Sequence, residues 1–147
     1  MTKKYVAELL NQARARELGV AFQYMRQHFL GKLYEGKGER SPTILEIFKE
    51  VAIEELKHAE RFAERIVHLG GTPTSEPEEI RKSATLKEMI VDDLRSEEEA
   101  IELYQKAAIS CDQEGDHVSR QLFEEILASE QDHKDTFRSL LGQKSTA

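Results

Sequence analysis

The sequence predicts an all-α four-helix bundle, built as two antiparallel helix hairpins joined by a long crossover between the second and third helices. Three observations carry that expectation. Apolar residues recur at spacings of three and four along nearly the whole chain, with no useful stretch of strand-like alternation. Turn chemistry interrupts the pattern at three places, two short and one long. Charged residues make up 33% of the chain beside 39% hydrophobic, a mixture suited to helices with one buried and one solvated face. At 147 residues the chain, 1–147, is expected to be a single domain large enough to bury a proper core.

The first helix is expected from about Lys3 to Tyr34, ending before the turn-rich EGKGERSPT. Ser41 is the expected N-cap of the second, with Pro42 at its first helical position. That helix runs to Leu69, where Gly70 and Gly71 stop it. The third begins near Leu86, because Thr85 and Glu88 form a capping-box pair. It ends before QEGD, and Asp116 caps the fourth, which Gly142 terminates. Short links make the first and last pairs antiparallel hairpins. The segment GGTPTSEPEEIRKSAT between them has 16 residues. Fully extended it spans about 50 Å, against about 42 Å for a helix of about 28 residues. It can therefore run the length of the bundle and leave the second and third helices parallel; a long surface loop at one end is the alternative.

The apolar stripes carry the functional signal. They read Leu10, Ala13, Glu17, Val20, Ala21, Tyr24 in the first helix and Phe48, Val51, Glu55, His58, Phe62, Ile66, Leu69 in the second. The third gives Ile90, Leu94, Glu97, Ile101, Tyr104, Ala108, Cys111, and the fourth Phe123, Ile126, Glu130, His133, Phe137, Leu141. Each stripe is broken near its middle by glutamate, and in two helices by histidine one turn later, a spacing that puts both on one face. Glu-x-x-His alone is weak: 22 glutamates and five histidines give about 0.75 matches by chance. There are three, of which Glu114 to His117 straddles Gly115 and reads as noise. The levels of the four stripe glutamates agree within ~6 Å along the bundle, inside boundary error. No lysine or arginine is expected at that inward level, and four unpaired buried carboxylates would exceed the ~5–15 kcal/mol that holds a domain folded. Two divalent cations would balance them, with the neutral imidazoles completing the coordination. Oxygen and nitrogen donors without thiolate favour iron, manganese or zinc over calcium. The competing reading is an inward polar network without metal, in a helical interaction module.

Other classes fall away. A formal charge of −7 disfavours a nucleic-acid surface. No apolar run approaches the ~20 residues of a membrane span, MTKKYVAELLNQ lacks the apolar segment of a signal peptide, and a cytoplasmic protein is expected. The single cysteine, Cys111, reads as a small core residue and excludes zinc-ribbon, rubredoxin-type and redox Cys-x-x-Cys motifs.

One Glu on the first helix, Glu-x-x-His on the second, one Glu on the third and Glu-x-x-His on the fourth resembles the ferritin-like di-iron carboxylate proteins. The resemblance covers essentially the whole chain and is strongest to bacterioferritin, through ELGVAFQY, EELKHAERFAERI, DDLRSEEEA and EILASEQDH in the expected order and spacing. It implies two iron ions per subunit, with manganese or zinc able to substitute in vitro. Glu17 and His58 would serve one iron, Glu97 and His133 the other, and Glu55 and Glu130 would bridge them. Glu98 and Glu99 neighbour Glu97, which is preferred because its own neighbours at three to four residues are apolar. The implied activity is a ferroxidase that oxidises Fe(II) with O2 or H2O2, and stores the product if homo-oligomers close into a shell rather than stopping at dimers. The alternative is a rubrerythrin-like di-iron peroxidase or oxidase without storage. Three positions depart from the relatives. Leu56 stands where bacterioferritins carry their haem methionine, so bis-methionine haem is not expected. Phe62 replaces a frequent tyrosine, and Ala100 replaces the extra glutamate of rubrerythrins.

Tyr24 and Tyr104 each follow a stripe glutamate by seven residues and are candidates to hydrogen-bond a ligand carboxylate or to donate an electron. Asp93, one turn before Glu97, is the candidate carboxylate for the second ring nitrogen of His58. His28 reads as a helix-end residue, His68 as a solvated side chain favoured by the helix dipole, and His117 as a first-turn residue.

Overall fold

A computed structural model describes residues 2–34 and 41–142. It has helix α1 over Thr2–Leu30, a 3-10 turn over Gly31–Tyr34, α2 over Ser41–His68, α3 over Leu86–Gln113 and α4 over His117–Leu140. There is no strand among the described residues. The expected boundaries hold to within a residue or two, except that the last turn assigned to the first helix tightens to 3-10 geometry. The EGKGER turn and the side chain of the expected Ser41 cap lie outside the described residues.

Local chemistry sets the ends. Gly70 adopts φ +84°, a left-handed conformation that costs glycine little. This lets its N–H reach Val67 O at 2.9 Å while Gly71 N–H reaches Ile66 O at 2.9 Å, the paired bonds of a Schellman stop. Thr85 Oγ1 accepts from Glu88 N–H at 3.2 Å, and Asp116 Oδ1 accepts from Ser119 N–H at 2.9 Å. Arg65 of α2 donates to both Asp116 and Ser119 at 2.9 Å, tying the α4 cap to the neighbouring helix.

The 16-residue link is the crossover, not an end loop. It runs alongside α1: Asn11 Oδ1 accepts from Thr74 N–H at 2.8 Å, Ala15 O from Glu78 N–H at 2.8 Å, and Gln23 Oε1 from Arg81 N–H at 2.9 Å. The partners on α1 advance with the crossover, so it travels from the end of α2 to the opposite end of the bundle, and α3 starts back antiparallel to α1. Helices α2 and α3 are consequently parallel. Close approach depends on Gly19, where an added Cβ would sit 2.6 Å from Glu78 O. Gly19→Ala should therefore lower stability by about 1–3 kcal/mol through overpacking, despite a helix-propensity gain of roughly 1 kcal/mol. A urea midpoint equal to or above the parent's would refute this account of the crossover.

The buried apolar residues form two clusters rather than one. Leu10, Phe62, Ile66, Tyr104, Phe123 and Ile126 anchor the first, and Tyr24, Phe48, Val51, Met89, Ile90 and Phe137 the second. Each fully buried large side chain contributes about 1.5–3 kcal/mol. The stripe glutamates and histidines lie in the sequence gaps between these clusters on every helix, so a polar layer is clamped between two packed apolar ones.

Candidate metal centre

The structure brings the six singled-out residues together. Glu17, Glu55, Glu97 and Glu130 are 0% exposed, His58 is 8% and His133 4%. Glu98 and Glu99 are exposed, in agreement with the choice of Glu97. The ligand atoms fall into two groups of four, Glu17, Glu55, His58, Glu130 and Glu55, Glu97, Glu130, His133, each within 4.8 Å of one another. Glu55 and Glu130 belong to both.

Both imidazoles aim Nδ1 inward. His58 Nδ1 lies 2.9 Å from Glu55 Oε1, 3.0 Å from Glu130 Oε1 and 3.3 Å from Glu17 Oε1. His133 Nδ1 lies 3.5 Å from Glu55 Oε1 and from Glu97 Oε1, and 3.8 Å from Glu130 Oε1. The rings face each other at 6.1 Å with 27° between their planes. Apart from that between His58 Nδ1 and Glu17 Oε1, these short distances do not amount to hydrogen bonds: both oxygens of Glu55, both of Glu130, Glu97 Oε2 and His133 Nδ1 are buried without a partner of acceptable geometry. Leaving such atoms unpaired is costly, and the general rule is that they are satisfied. Convergent orphaned oxygen and nitrogen donors without thiolate fit divalent iron, manganese or zinc.

Without a cation the cluster holds protons. Burial, then the charges of Glu17 and Glu97, lifts the Glu55 carboxyl well above its usual range. Burial and Glu17, Glu55 and Glu97 do the same to Glu130. Burial alone would lower the imidazoles, but the neighbouring carboxylates of Glu130 and Glu17 push His58 up to about 9. Glu97 and Glu130 likewise push His133 to about 10 against its burial. Glu97 goes the other way: its burial is outweighed by Glu130 and His133, which hold it at about 2. Four crowded carboxyls cannot all ionise, so the set shares its protons unequally.

Several expectations need correction. Arg16 is a basic residue at the inward level. It is 6% exposed, places Nη1 3.3 Å from Glu17 Oε2, donates through Nη2 to Ser96 O, and lies over the Tyr104 ring at 5.9 Å. It also lines a cleft of about 630 Å³ between α1, α3 and the crossover. Asp93 is fully buried but does not serve His58; it accepts from Gln23 at 3.0 Å and Gln27 at 2.6 Å. The reason is directional: one turn before Glu97, α3 faces α1 rather than α2. A carboxylate does hold a histidine's outer nitrogen, but it is Glu54, which accepts from His133 Nε2. The EELKH segment placed Glu54 beside Glu55 in the sequence, yet a residue one position off the stripe reads as solvated, and Glu54 is indeed half exposed.

Tyr24 donates to Glu97 Oε1 at 2.9 Å, a stripe carboxylate on α3 rather than the Glu17 seven residues before it. Tyr104 is fully buried, but its hydroxyl has no hydrogen-bond partner, so the carboxylate bond expected of it is not made. It packs instead against Phe62 and Phe123. His28 stands in the last turn of α1 and is buried, with Nδ1 2.7 Å from Leu45 O, where it ties the end of α1 to α2. His68 and His117 are exposed, and Cys111 is a buried free thiol.

The chain is similar to known proteins over nearly its whole length. The family model described as a ferritin-like domain matches residues 7–146. A bacterioferritin of Desulfovibrio desulfuricans is 36% identical over 140 residues, covering 94% of this chain and 75% of that protein. A bacterioferritin of Brucella melitensis is 35% identical over 92% of this chain and 82% of its own. Among solved structures, the D. desulfuricans bacterioferritin, described with its diiron site in different catalytic states, superposes with TM-score 0.84 at 36% identity over 95% of this chain and 79% of that one. A Rhodobacter capsulatus bacterioferritin, described with a metal-free dinuclear site and heme iron, gives TM-score 0.83 at 30% identity over 92% of this chain and 82% of that one.

Proposed function

This chain belongs to the ferritin-like domain family, and from that premise we propose that it is a ferroxidase and iron-storage protein that oxidises Fe(II) at an intrasubunit dinuclear site. The observation that carries the reading is the pair of four-residue donor groups sharing Glu55 and Glu130, whose buried oxygens have no hydrogen-bond partner. Glu17 and His58 hold one iron, Glu97 and His133 the other, and the two shared carboxylates lie between them. Each Fe(II) gives up one electron; O2 with two protons becomes H2O2, or H2O2 with two protons becomes two waters.

The protein's own groups prepare that chemistry. Carboxylates stabilise the ferric product more than the ferrous substrate, and Tyr24 and Glu54 orient Glu97 and His133. The apolar layers on both sides exclude bulk water and hold the donors in place. Position 100, where a seventh carboxylate would be needed for rubrerythrin-like chemistry, is a fully buried alanine. Leu56 offers no thioether, so we assign no bis-methionine haem to this chain.

Self-association into a dimer or a larger shell belongs to the same reading. Phe22, Phe29, Ile53 and Leu56 of α1 and α2 are exposed, and an assembly contact would cover them. We place the protein in the cytoplasm, where the free Cys111 thiol stays reduced. Among the described residues, no helix is long and apolar enough to cross a membrane. The test is aerobic loading with excess Fe(II), followed by sizing and iron analysis. Many irons per chain in a large particle are expected. About two per chain without accumulation, the capacity of a dinuclear site, would point to a peroxidase, and none retained would end the metal reading.

A further inference from the structure

The two halves of the centre are chemically alike in their inner donors but not in what stands behind them. Glu17 and Glu97 occupy equivalent places, each with one histidine and the two shared carboxylates. Behind Glu97 is a neutral group, the Tyr24 phenol, which donates to Oε1 at 2.9 Å and leaves Oε2 without a partner. Behind Glu17 is a cation. Arg16 Nη1 lies 3.3 Å from Glu17 Oε2, while Glu17 Oε1 faces His58 Nδ1 at 3.3 Å. Among the described residues, Glu17 is the only one of the four carboxylates within 4.0 Å of the guanidinium.

Arg16 is also held where it is. It is 6% exposed, a second nitrogen donates to Ser96 O on α3, and the guanidinium lies over the Tyr104 ring. Swinging out to solvent would cost these contacts, so its charge stays on the Glu17 side whether or not a cation is present. Arginine does not release its proton at any accessible pH.

We propose that Arg16 makes the two metal positions unequal, weakening cation binding at the Glu17–His58 position so that the Glu97–His133 position fills first. Each of the two carboxylates has one oxygen engaged from behind, Oε2 of Glu17 by Arg16 and Oε1 of Glu97 by Tyr24, so the difference between the two positions is one of charge. The guanidinium repels an incoming divalent cation, and the neutral phenol does not. A charge within about 4–6 Å commonly shifts an ionisation equilibrium by about 1–3 log units, and a divalent cation feels the same field with twice the charge. The consequence for an oxidase is an ordered site, with one resident cation and a second that exchanges. Arg16 acts here through Glu17 and is a positioning residue.

The inference rests on the dinuclear reading above. The deciding experiment is anaerobic titration of the metal-free, full-length protein with Co(II), followed by visible absorption and calorimetry, for the parent, Arg16→Gln and Arg16→Lys. The parent should bind two Co(II) per chain in two steps whose dissociation constants differ by about tenfold or more. Arg16→Gln should tighten the weaker step by about tenfold and the stronger step by less, so that the steps approach each other. Arg16→Lys, which keeps the charge, should restore the separation; a merely structural role would not show that rescue. Two equal steps in the parent, which needs no variant, would overturn the inference, as would an Arg16→Gln protein that is folded by circular dichroism and leaves both steps unchanged. In either case two cations are still bound, and the dinuclear site stands. A parent that binds fewer than two Co(II) overturns the site itself and this inference with it.

Discussion

Glu130→Met should leave the metal-free protein more stable than the parent while abolishing its response to metal. Glu130 is 0% exposed and neither of its oxygens has a hydrogen-bond partner. Burial and three neighbouring carboxyls hold its ionisation well above the usual carboxyl range in the absence of a cation. A buried carboxyl whose oxygens lack hydrogen-bond partners carries a desolvation cost of about 1–3 kcal/mol that an apolar side chain of similar volume does not. The chelator-treated variant should therefore gain about 1–3 kcal/mol in a urea titration. The parent should recover on metal addition, because a cation at about a thousandfold excess over its dissociation constant adds about 4 kcal/mol. The variant lacks a donor common to both positions, so metal should not raise its midpoint, and Fe(II) oxidation should fall by more than the roughly 10–100-fold that loss of an outer-shell partner causes. A metal-free Glu130→Met several kcal/mol less stable than the parent would show instead that Glu130 is a structural polar contact.

That prediction depends on six residues that the sequence already set apart, and their legibility has a physical cause. An inward carboxylate interrupts an apolar stripe, and the interruption recurs at one level on four helices. What escaped the pattern lies on α1. A stripe argument assumes that a helix buries one face, yet α1 is enclosed by α2, α3 and the crossover together. Arg16, Gln23 and Gln27 sit off the stripe and look solvated in the sequence, but they are 6%, 2% and 1% exposed. The crossover's length showed that it could span the bundle; which side it would cover depended on the contacts of Asn11, Ala15 and Gln23. Asp93 failed as the partner of His58 for the same reason. The sequence gives its height and phase, but whether that phase meets α1 or α2 is set by how the hairpins dock. Glu54 shows a further limit, since a half-exposed carboxylate can still meet a buried imidazole when its side chain folds back over the helix edge.

Acidification should strip metal from this protein steeply, and the metal-free and metal-bound forms should respond to pH in opposite directions. In the metal-free protein His58 titrates at about 9 and His133 at about 10, the surrounding carboxylates overcoming the lowering effect of burial. Both therefore carry protons at neutral pH, and both must release them to bind a cation. Two protons released on filling the site make the overall binding constant rise by about 100-fold per pH unit between pH 6 and 8, and more steeply where Glu55 and Glu130 still hold theirs. The same protons stabilise the empty fold. A histidine raised from 6.5 contributes fully below that value and loses its contribution as pH rises through about 9 or 10. Glu55 and Glu130, also raised, lose theirs in the same direction starting from 4.5. Glu97 acts oppositely, but only below 4.5, as it is protonated toward about 2. From pH 6.5 to 9 the chelator-treated protein should thus melt at progressively lower temperature, while protein with two Co(II) per chain should melt higher with rising pH up to 8.5. Weakly buffered mixing at pH 7 should release at least two protons per chain, read with an indicator dye. Binding without proton release, or a metal-free protein that gains stability across that range, would mean that the imidazoles are neutral before metal arrives and that the carboxylates do not hold them charged.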